Sequence, residues 1–417
     1  MSRSRDSIPS GVKNVAWART FNWVGWGFGE SLIPVFIMSL AGSYAAAGLV
    51  RSTYEVALLL SLPFVGILAE RYPAKWLIVG SYVIYPFVGL SYYAAGATGA
   101  LAFIVVARLI NGISWGGSDV GIATYFRRLT PGGTIAASFG FLDTLSEFGW
   151  IAAALASIWL VRYFSIGQLL FMVVPFSLVG LLFAMRARRD HPAMAKPKRH
   201  LRLRAAYRNA LSEWRGWNTE LRLLAFLLIF SQFVSAVIDF FVPIDIYQKS
   251  ANLALVIVFV VVSAIPSIFG YLLGRFADKH NKPRLIAAAC GFMALILLML
   301  TLPVPYLLVV SAGITLGLVL ELLGILRRSI ATFLVPKTHF GRLESVFSIV
   351  GGIGDLAAPP LLGALLMVMG MPALAAILSV IALLFALIFI ARSHHRHGFL
   401  PRSLSLADLI PPPEHKT

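Results

Sequence analysis

Twelve apolar stretches, each long enough to cross a lipid bilayer, fill most of this chain of 417 residues. A helix needs about 20 mostly apolar residues to span the hydrocarbon core, and it satisfies its own backbone polar groups there. The sequence therefore predicts an all-α integral membrane protein with twelve transmembrane helices. The predicted spans are residues 15–40, 47–69, 75–95, 99–126, 134–162, 166–185, 222–246, 253–274, 284–303, 305–330, 343–368 and 372–391.

The first half of the sequence repeats in the second half without gaps. Gly66 and Gly274 lie 208 residues apart, and so do Glu147 and Asp355. A constant offset across four helices indicates a duplicated six-helix unit, the plan of transporters whose two halves rock about a central site. The predicted parts are an N-terminal six-helix bundle (1–185), a cytoplasmic central loop with an interfacial helix (186–222), a C-terminal six-helix bundle (223–392) and a cytoplasmic tail (393–417).

Positive charge predicts how the chain is oriented. Of the 35 lysines and arginines, all but Arg19, Arg51, Arg108, Arg162 and Lys249 fall in the termini, the central loop or loops on the same side. Lysine and arginine accumulate on the cytoplasmic side of membrane proteins. We therefore expect a multi-pass protein of the plasma or inner membrane with both termini in the cytoplasm.

The composition argues against several classes of function. The net charge of +17 would suggest nucleic acid binding in a soluble protein, but the topology explains it, so we expect no nucleic acid partner. No glycine-rich loop for ATP phosphates is present. No span contains histidine, and neither a metal-ligand cluster nor a serine–base arrangement is readable, so we expect neither an enzyme nor a cofactor or metal. The expected partners are the lipid bilayer and a small-molecule substrate, and we expect a monomer.

Residues 66–75 carry a motif between the second and third spans. The segment begins with Gly66, continues with small apolar residues and ends with an acid, Glu70, followed by Arg71 and Lys75. It resembles the signature loop of the major facilitator superfamily. Residues 274–279 repeat the pattern between spans eight and nine, where the family repeats it, and residues 108–116 of span four resemble the family's arginine and spaced-glycine motif.

The resemblance implies two pseudo-symmetric six-helix bundles that work by alternating access. It implies that helices one, four, seven and ten line the cavity, and that the counterpart of Arg108 is associated with proton coupling. It also implies that the signature loops brace the cytoplasmic rim of each half. The residues concerned are Gly66, Glu70, Arg71, Gly274, Asp278 and Lys279.

The resemblance leaves the direction of transport open. The glycine–proline motif of span five, typical of proton-antiporting exporters, is missing from residues 140–147. By contrast, residues 29–34 in span one resemble a pattern seen in drug exporters.

Ionisable residues inside the spans mark a candidate pathway. Such a residue costs about 2.5–3.5 kcal/mol near the bilayer centre on insertion scales, so it persists where it faces a cavity or a partner. With neighbouring polar and aromatic residues, the candidates for the substrate and proton pathway are Trp23, Trp26, Glu30, Arg108, Asn111, Asp143, Glu147, Gln232, Asp239, Glu321 and Asp355.

Two pairs of acids follow the internal repeat. Glu30 precedes Pro34 by four residues, as Asp239 precedes Pro243. Trp23, Trp26 and Glu30 fall on one helical face, as Gln232, Ser235 and Asp239 do. These faces predict an aromatic and acidic cavity wall suited to a lipophilic or cationic substrate, and ordinary helix packing is the alternative.

Glu147 and Asp355 form the second symmetric pair. Each lies near the middle of its span, where separation from water favours the protonated carboxyl group, and Asp143 lies one turn from Glu147. These acids are candidates for proton binding. The alternative is a pair of hydrogen bonds between helices that never titrate.

Asp119 and Arg327 occupy equivalent positions in the repeat with opposite charges. Equivalent positions can meet across a pseudo-twofold axis, so we hypothesise an ion pair that gates the cytoplasmic side when the cavity faces outward. The alternative is that Arg327 only joins Arg328 at the cytoplasmic boundary.

The main functional prediction is a secondary active transporter of small molecules that is driven by an ion gradient. Proton-coupled efflux of lipophilic or cationic compounds is favoured over proton-coupled uptake of a metabolite. The sequence also leaves open a non-transporting membrane sensor on the same fold and a membrane enzyme.

Overall fold

The computed structural model describes residues 9–130, 135–190, 219–302, 305–334 and 340–394, and every regular element in these ranges is a helix. Ten of these helical segments are long and apolar enough to cross a membrane, and a bent pair at residues 253–279 is an eleventh. The all-α membrane fold predicted from the sequence is confirmed. The predicted interfacial helix of the central loop and most of the tail lie outside the described residues.

The N-terminal half consists of six helical segments. The first, α1, is interrupted by a 3-10 turn at Glu30–Leu32, and α6 by a short break at Met172. The six segments are α1 (Ser10–Ala41), α2 (Tyr44–Arg71), α3 (Ala74–Thr98), α4 (Leu101–Leu129), α5 (Ile135–Leu160) and α6 (Ile166–Arg186).

The C-terminal half repeats this arrangement. A π-helical turn, Val237–Phe241, interrupts α7, and a 3-10 turn, Ile265–Phe269, bends α8. The segments are α7 (Thr219–Ser250), α8 (253–279), α9 (Lys282–Met299), α10 (Tyr306–Leu334), α11 (340–369) and α12 (371–394).

The last two segments follow each other directly over 55 residues, Phe340–His394, and are separated only by the non-helical residue Gly370. At 1.5 Å per residue a straight helix of this length would measure roughly 80 Å, far more than the roughly 30 Å of a bilayer core. Gly370 adopts φ 74° and ψ 171°, a conformation open to glycine. The chain therefore turns back at Gly370, which is consistent with twelve crossings.

The two ends of the helices define two faces of the molecule. We call the face that holds Ser10 and residue 394 the terminal face. The other, which we call the opposite face, carries turns with positive φ at Gly42, Gly99 and Ala251. Large apolar side chains cover the outer surface between the faces, as a hydrocarbon environment requires. Examples are Phe87, Trp159, Leu295 and Leu384, each more than half exposed.

The two halves pack against each other through α2 with α11 and through α5 with α8, two contacts that the internal repeat relates. Gly48 and Gly363 allow the first contact, because a Cβ atom on Gly48 would meet the carbonyl oxygen of Pro359. The Ser52 hydroxyl donates to the carbonyl oxygen of Leu356 at 2.7 Å. These contacts use the parts of α2, α8 and α11 toward the opposite face, so the halves are joined on that side.

Candidate functional site

Two acidic residues lie where the first helix of each half is interrupted. Glu30 begins the 3-10 turn of α1, and Asp239 lies in the π-helical turn of α7. Pro34 and Pro243 follow four residues later and have no N–H to donate back to the carbonyl groups of Glu30 and Asp239. The local sequence thus interrupts the helix beside each acid, and helix breaks of this kind often accompany functional sites.

A central cavity of about 430 Å³ lies between the two halves. Its charged lining comprises four acids and two arginines, contributed by both halves. Six of the predicted pathway residues line it: Trp23, Glu30, Arg108, Glu147, Asp239 and Glu321. The further lining residues are Ser31, Ile33, Pro34, Arg51, Trp150, Phe240, Val260, Ser263, Ala264, Ser267 and Gly317.

Hydrogen bonds orient two of the cavity acids. The indole Nε1 of Trp150 in α5 donates to Oε2 of Glu30 at 2.7 Å. The hydroxyl of Ser235 donates to Oδ2 of Asp239 at 2.5 Å. Glu30 is therefore held by a helix that also carries Glu147, whereas Asp239 is held within its own helix.

The two cavity arginines are held by different groups. Arg108 is buried, and its Nη2 donates to the carbonyl oxygen of Arg51 at 3.3 Å while its guanidinium lies 4.7 Å from the ring centroid of Tyr54. Arg51 lies 3.5 Å from the carboxylate of Glu55, one turn along α2. Arg108 lines the same cavity as Glu30, and the partners described here for its guanidinium are a carbonyl oxygen and an aromatic ring.

Asp355 and Gln232 are not among the residues that line the central cavity. The side-chain amide of Gln232 in α7 donates to Oδ2 of Asp355 in α11 at 2.7 Å. Gln232 also lines a smaller cavity of about 140 Å³ between α7 and α10, together with Ser231, Ser235 and Arg327. Glu147 and Asp355 thus have different surroundings despite their equivalent positions in the repeat.

Besides Gln232 and Asp355, three further predicted pathway residues are not among those that line the central cavity. Trp26 lies about 60° round the helix axis from Trp23, so its ring packs edge-on against Tyr92 of α3 at 6.3 Å. Asn111 is buried in α4, and Asp143 is exposed one turn from Glu147. Shared helical spacing therefore did not place all of these side chains in one cavity.

The hypothesised gate residues have separate partners in this conformation. Asp119 forms an ion pair with Arg19 of α1 at 3.4 Å, and the guanidinium of Arg327 lies 5.0 Å from the ring centroid of Phe347. The pairing of Asp119 with Arg327 stays a prediction for the conformation in which the terminal face is closed.

The signature loops lie at the terminal face. Gly66 and Gly274 lie within α2 and α8, and Arg71 and Lys279 are exposed. Asp278 is also exposed, with Nζ of Lys282 4.0 Å from its carboxylate. The Glu70 side chain lies outside the described residues.

A buried carboxylate at the start of the central loop braces the rim of the N-terminal half. Asp190 accepts hydrogen bonds from the backbone amides of Ala74 at 2.9 Å and Lys75 at 3.0 Å, and it pairs with Arg128 at 2.8 Å. Burial alone raises the pKa of Asp190, but the Lys75 amide, the Arg128 guanidinium and the Ala74 amide hold it below its ordinary value. Arg128 also donates to the carbonyl oxygen of Ala69 at 2.6 Å.

Sequence reasoning missed several residues of the site. Arg19, Arg51, Glu55, Trp115 and Trp150 have no chemically similar residue 208 positions later, so the repeat did not indicate them. The opposite charges of Arg51 and Glu55, one turn apart within an apolar span, were the signal that could have found two of them.

The comparisons with known proteins agree with this architecture. Residues 15–326 match the family model of the Major Facilitator Superfamily. The chain belongs to this superfamily. It is therefore a membrane transporter of small molecules and not an enzyme. A search of curated protein sequences gave no match.

Solved structures of transporters share the fold at low sequence identity. The nucleoside transporter NupG superposes with a TM-score of 0.72 at 16% identity, over 93% of this chain and 100% of that chain. A D-xylose–proton symporter superposes with a TM-score of 0.70 at 14% identity, over 94% and 97%. The inward open xylose transporter XylE from E. coli gives 0.69 at 13% identity, over 96% and 97%. Identities this low support the common fold only.

Proposed function

We propose that this transporter is secondary active and uses a proton gradient. The halves at residues 1–185 and 223–392 rock about the central cavity, so that it opens to each face in turn. The observation that carries the proposal is the lining of this cavity, where acids from both halves lie with Arg51 and Arg108. Charged groups within the membrane that face a cavity are typical of ion and substrate pathways.

Glu30, Glu147 and Asp239 are the proposed proton carriers. Glu30 and Asp239 stand at the two interrupted helices, so a change in either helix moves a carboxyl group directly. Glu147 lies on the same cavity wall as Trp150, the hydrogen-bond donor to Glu30. Arg108, which lines the same cavity as Glu30, is the proposed cation that favours release of the proton from Glu30.

The proposed substrate is a lipophilic or cationic compound, and the proposed direction is efflux. Four acids against two arginines give a negative lining when all are ionised, and Trp23 supplies an aromatic surface for a cation. Proton-coupled uptake of a metabolite is the second candidate. It is supported by the similarity of the fold to a structure described as a proton symporter.

We propose that the terminal face is cytoplasmic, because the lysines and arginines outside the spans gather there. The contacts between the halves close the opposite face, so this conformation is the inward-facing one. The proposed location is the plasma or inner membrane, and the proposed working unit is a monomer.

Transport in proteoliposomes with an imposed pH gradient tests the proposal. Internal pH is read while lipophilic cations and small metabolites are added one at a time. We expect a substrate-triggered proton flux that Glu30→Gln, Asp239→Asn and Glu147→Gln each reduce at least tenfold. The matched control is Asp245→Asn, which removes an acid on α7 that pairs with Lys249 outside the cavity. The sign of the flux distinguishes efflux from uptake.

Three results would contradict the proposal. Normal proton flux in all three cavity variants would exclude these acids as the carriers. Substrate flux without any proton movement would exclude proton coupling, and the absence of flux with every compound would favour the sensor.

A further inference from the structure

Two tryptophans on neighbouring helices lie beside a positive charge of the chain itself. The guanidinium carbon of Arg19 lies 5.6 Å from the ring centroid of Trp23 and 5.7 Å from that of Trp115. The two ring centroids are 5.8 Å apart at an interplanar angle of 52°. Both distances from Arg19 fall within the roughly 6 Å over which a cation is attracted to an aromatic face.

Both rings beside Arg19 are tryptophans, the aromatic side chain that attracts cations most strongly. By comparison, the guanidinium of Arg108 lies near the ring of Tyr54, and that of Arg162 lies near the ring of Trp159. We call Trp23 and Trp115 the tryptophan pair.

Acidic residues on two other helices interact with the arginine beside the tryptophan pair. Asp119 lies 3.4 Å from Arg19 and its side chain is 57% exposed, and the Arg19 charge acts on Asp143 and Glu147 across α5. A second cation could therefore be accommodated beside these carboxylates, and Arg19 could turn toward the exposed Asp119 without losing its partner.

The tryptophan pair is continuous with the central cavity. Trp23 and Glu147 line that cavity, while Asp119 and Arg19 lie nearer the terminal face on α4 and α1. Trp23 therefore belongs both to the pair and to the lining of the central cavity.

We infer that the tryptophan pair is a binding subsite for planar organic cations of the guanidinium or amidinium class, and that Arg19 occupies it when no substrate is present. The inference rests on the proposed function and names the substrate class. The side chain of Arg19 shows by its own position that a planar cation fits beside both rings. A substrate cation displaces Arg19 toward Asp119, and Trp23 then connects the subsite to the acids of the central cavity.

Calorimetric binding of phenylguanidinium to the full chain in lipid nanodiscs tests this inference, with neutral phenylurea as a probe of the same shape. Arg19→Gln removes the internal competitor, so we expect phenylguanidinium to bind at least tenfold more tightly than to the unaltered protein. Arg19→Lys, which keeps the charge, should give a smaller change. Phenylurea should bind equally to all variants.

The variant that combines Arg19→Gln with Trp115→Leu is the decisive comparison. Removal of Arg19 also leaves Asp119, Asp143 and Glu147 uncompensated, and these acids alone could attract a cation. We expect Trp115→Leu to abolish the tenfold gain, because Trp115 does not line the central cavity but forms half of the pair. Cys290, the single cysteine, is fully buried, so its lack of reaction with a thiol dye checks that each variant is folded.

The inference is overturned if Arg19→Gln binds phenylguanidinium no more tightly, or if the gain persists after Trp115→Leu. Neither result bears on the proton carriers, which are tested by flux. Conversely, the flux assays could show no proton coupling while Arg19→Gln still binds phenylguanidinium at least tenfold more tightly. That result would overturn the proposed function but support the subsite.

Discussion

The hydroxyl of Tyr44 in α2 donates a hydrogen bond of 2.6 Å to the side-chain oxygen of Gln248 in α7. The Tyr44 ring also packs against Phe241, with 6.1 Å between the centroids. This bond joins the N-terminal half to the C-terminal half at the opposite face. If the halves rock, the bond must break whenever the opposite face opens, so its free energy favours the conformation described here.

Tyr44→Phe should shift the protein toward the conformation that is open at the opposite face. The change removes one hydrogen bond, worth about 0.5–1.5 kcal/mol, so the ratio of the two conformations should change by about 2- to 13-fold. Distances between spin labels at the opposite face measure this ratio. The control is Tyr306→Phe, because Tyr306 donates a bond of the same length to the Leu255 carbonyl within one half. An equal shift in both variants would contradict the assignment.

Gly48→Ala should hinder closure of the opposite face. A methyl group at Gly48 would overlap the carbonyl oxygen of Pro359 in α11, and overpacking of this kind costs about 1–3 kcal/mol. We expect transport to fall at least fivefold and the spin-label distances at the opposite face to increase. The matched control is Gly80→Ala in α3, where a Cβ atom would meet open space. Unchanged distances in Gly48→Ala would show that α2 and α11 do not need this close approach.

Trp150→Phe should slow the proton step and leave the cavity in place. The indole Nε1 of Trp150 donates to Glu30, and a hydrogen bond to a charged group contributes about 1.5–3 kcal/mol. Since the ionised carboxylate loses this stabilisation, we expect the proton flux at fixed pH to fall about tenfold or more. Trp159→Phe on the outer, lipid-facing surface is the control. If the proton flux of Trp150→Phe equals that of Trp159→Phe, Trp150 takes no part in the proton step.

Asp190→Asn should destabilise the N-terminal half. Asp190 is fully buried at its side chain and binds Arg128 and two backbone amides, so the neutral amide should cost about 2 kcal/mol or more. Thermal unfolding in detergent, followed by tryptophan fluorescence, measures the difference, because all tryptophans of the two bundles lie in the N-terminal one. Asp245→Asn, which breaks only the exposed pair with Lys249, should have a much smaller effect.

The effect of Asp190→Asn should also depend on pH. Because the folded-state pKa of Asp190 is lowered, the stabilisation by its carboxylate is complete above the ordinary aspartate pKa of about 4 and is lost as the pH falls through the lowered value. The stability difference between the two proteins should therefore be constant from pH 8 to about pH 5 and decrease below about pH 4. A difference that does not decrease at low pH would mean that the charge of Asp190 is not what stabilises the rim.

The positions of the helices, and the equivalent acids Glu30 and Asp239, could be predicted from the sequence. The predicted spans at 47–69 and 99–126 became Tyr44–Arg71 and Leu101–Leu129, and the differences are confined to the helix ends. The pattern of an acid followed by proline four residues later singled out Glu30 and Asp239, and both residues line the central cavity. These features follow from local chemistry, since apolar length and a missing proline N–H act within a single segment.

Contacts between helices could not be predicted from the sequence in the same way. Trp150 bonds Glu30 across 120 residues, and Asp190 caps α3 from 116 residues away. Nothing in the composition of either segment indicates its partner, because such a contact depends on the rotation and tilt of each helix. The internal repeat could not supply it either, since the two halves differ at these positions.

The sequence by itself determined that this chain crosses a membrane many times, that it is built from two related halves, and that acids lie within the first helix of each half. Bilayer thickness and backbone hydrogen bonding impose these features on any sequence of this pattern. Only the tertiary structure decided which charges share the central cavity and which are bound elsewhere. It brought Arg51 beside Arg108, turned Trp26 toward α3 and placed Arg19 beside two tryptophans, because side-chain neighbours across helices are decided by packing and not by spacing along the chain.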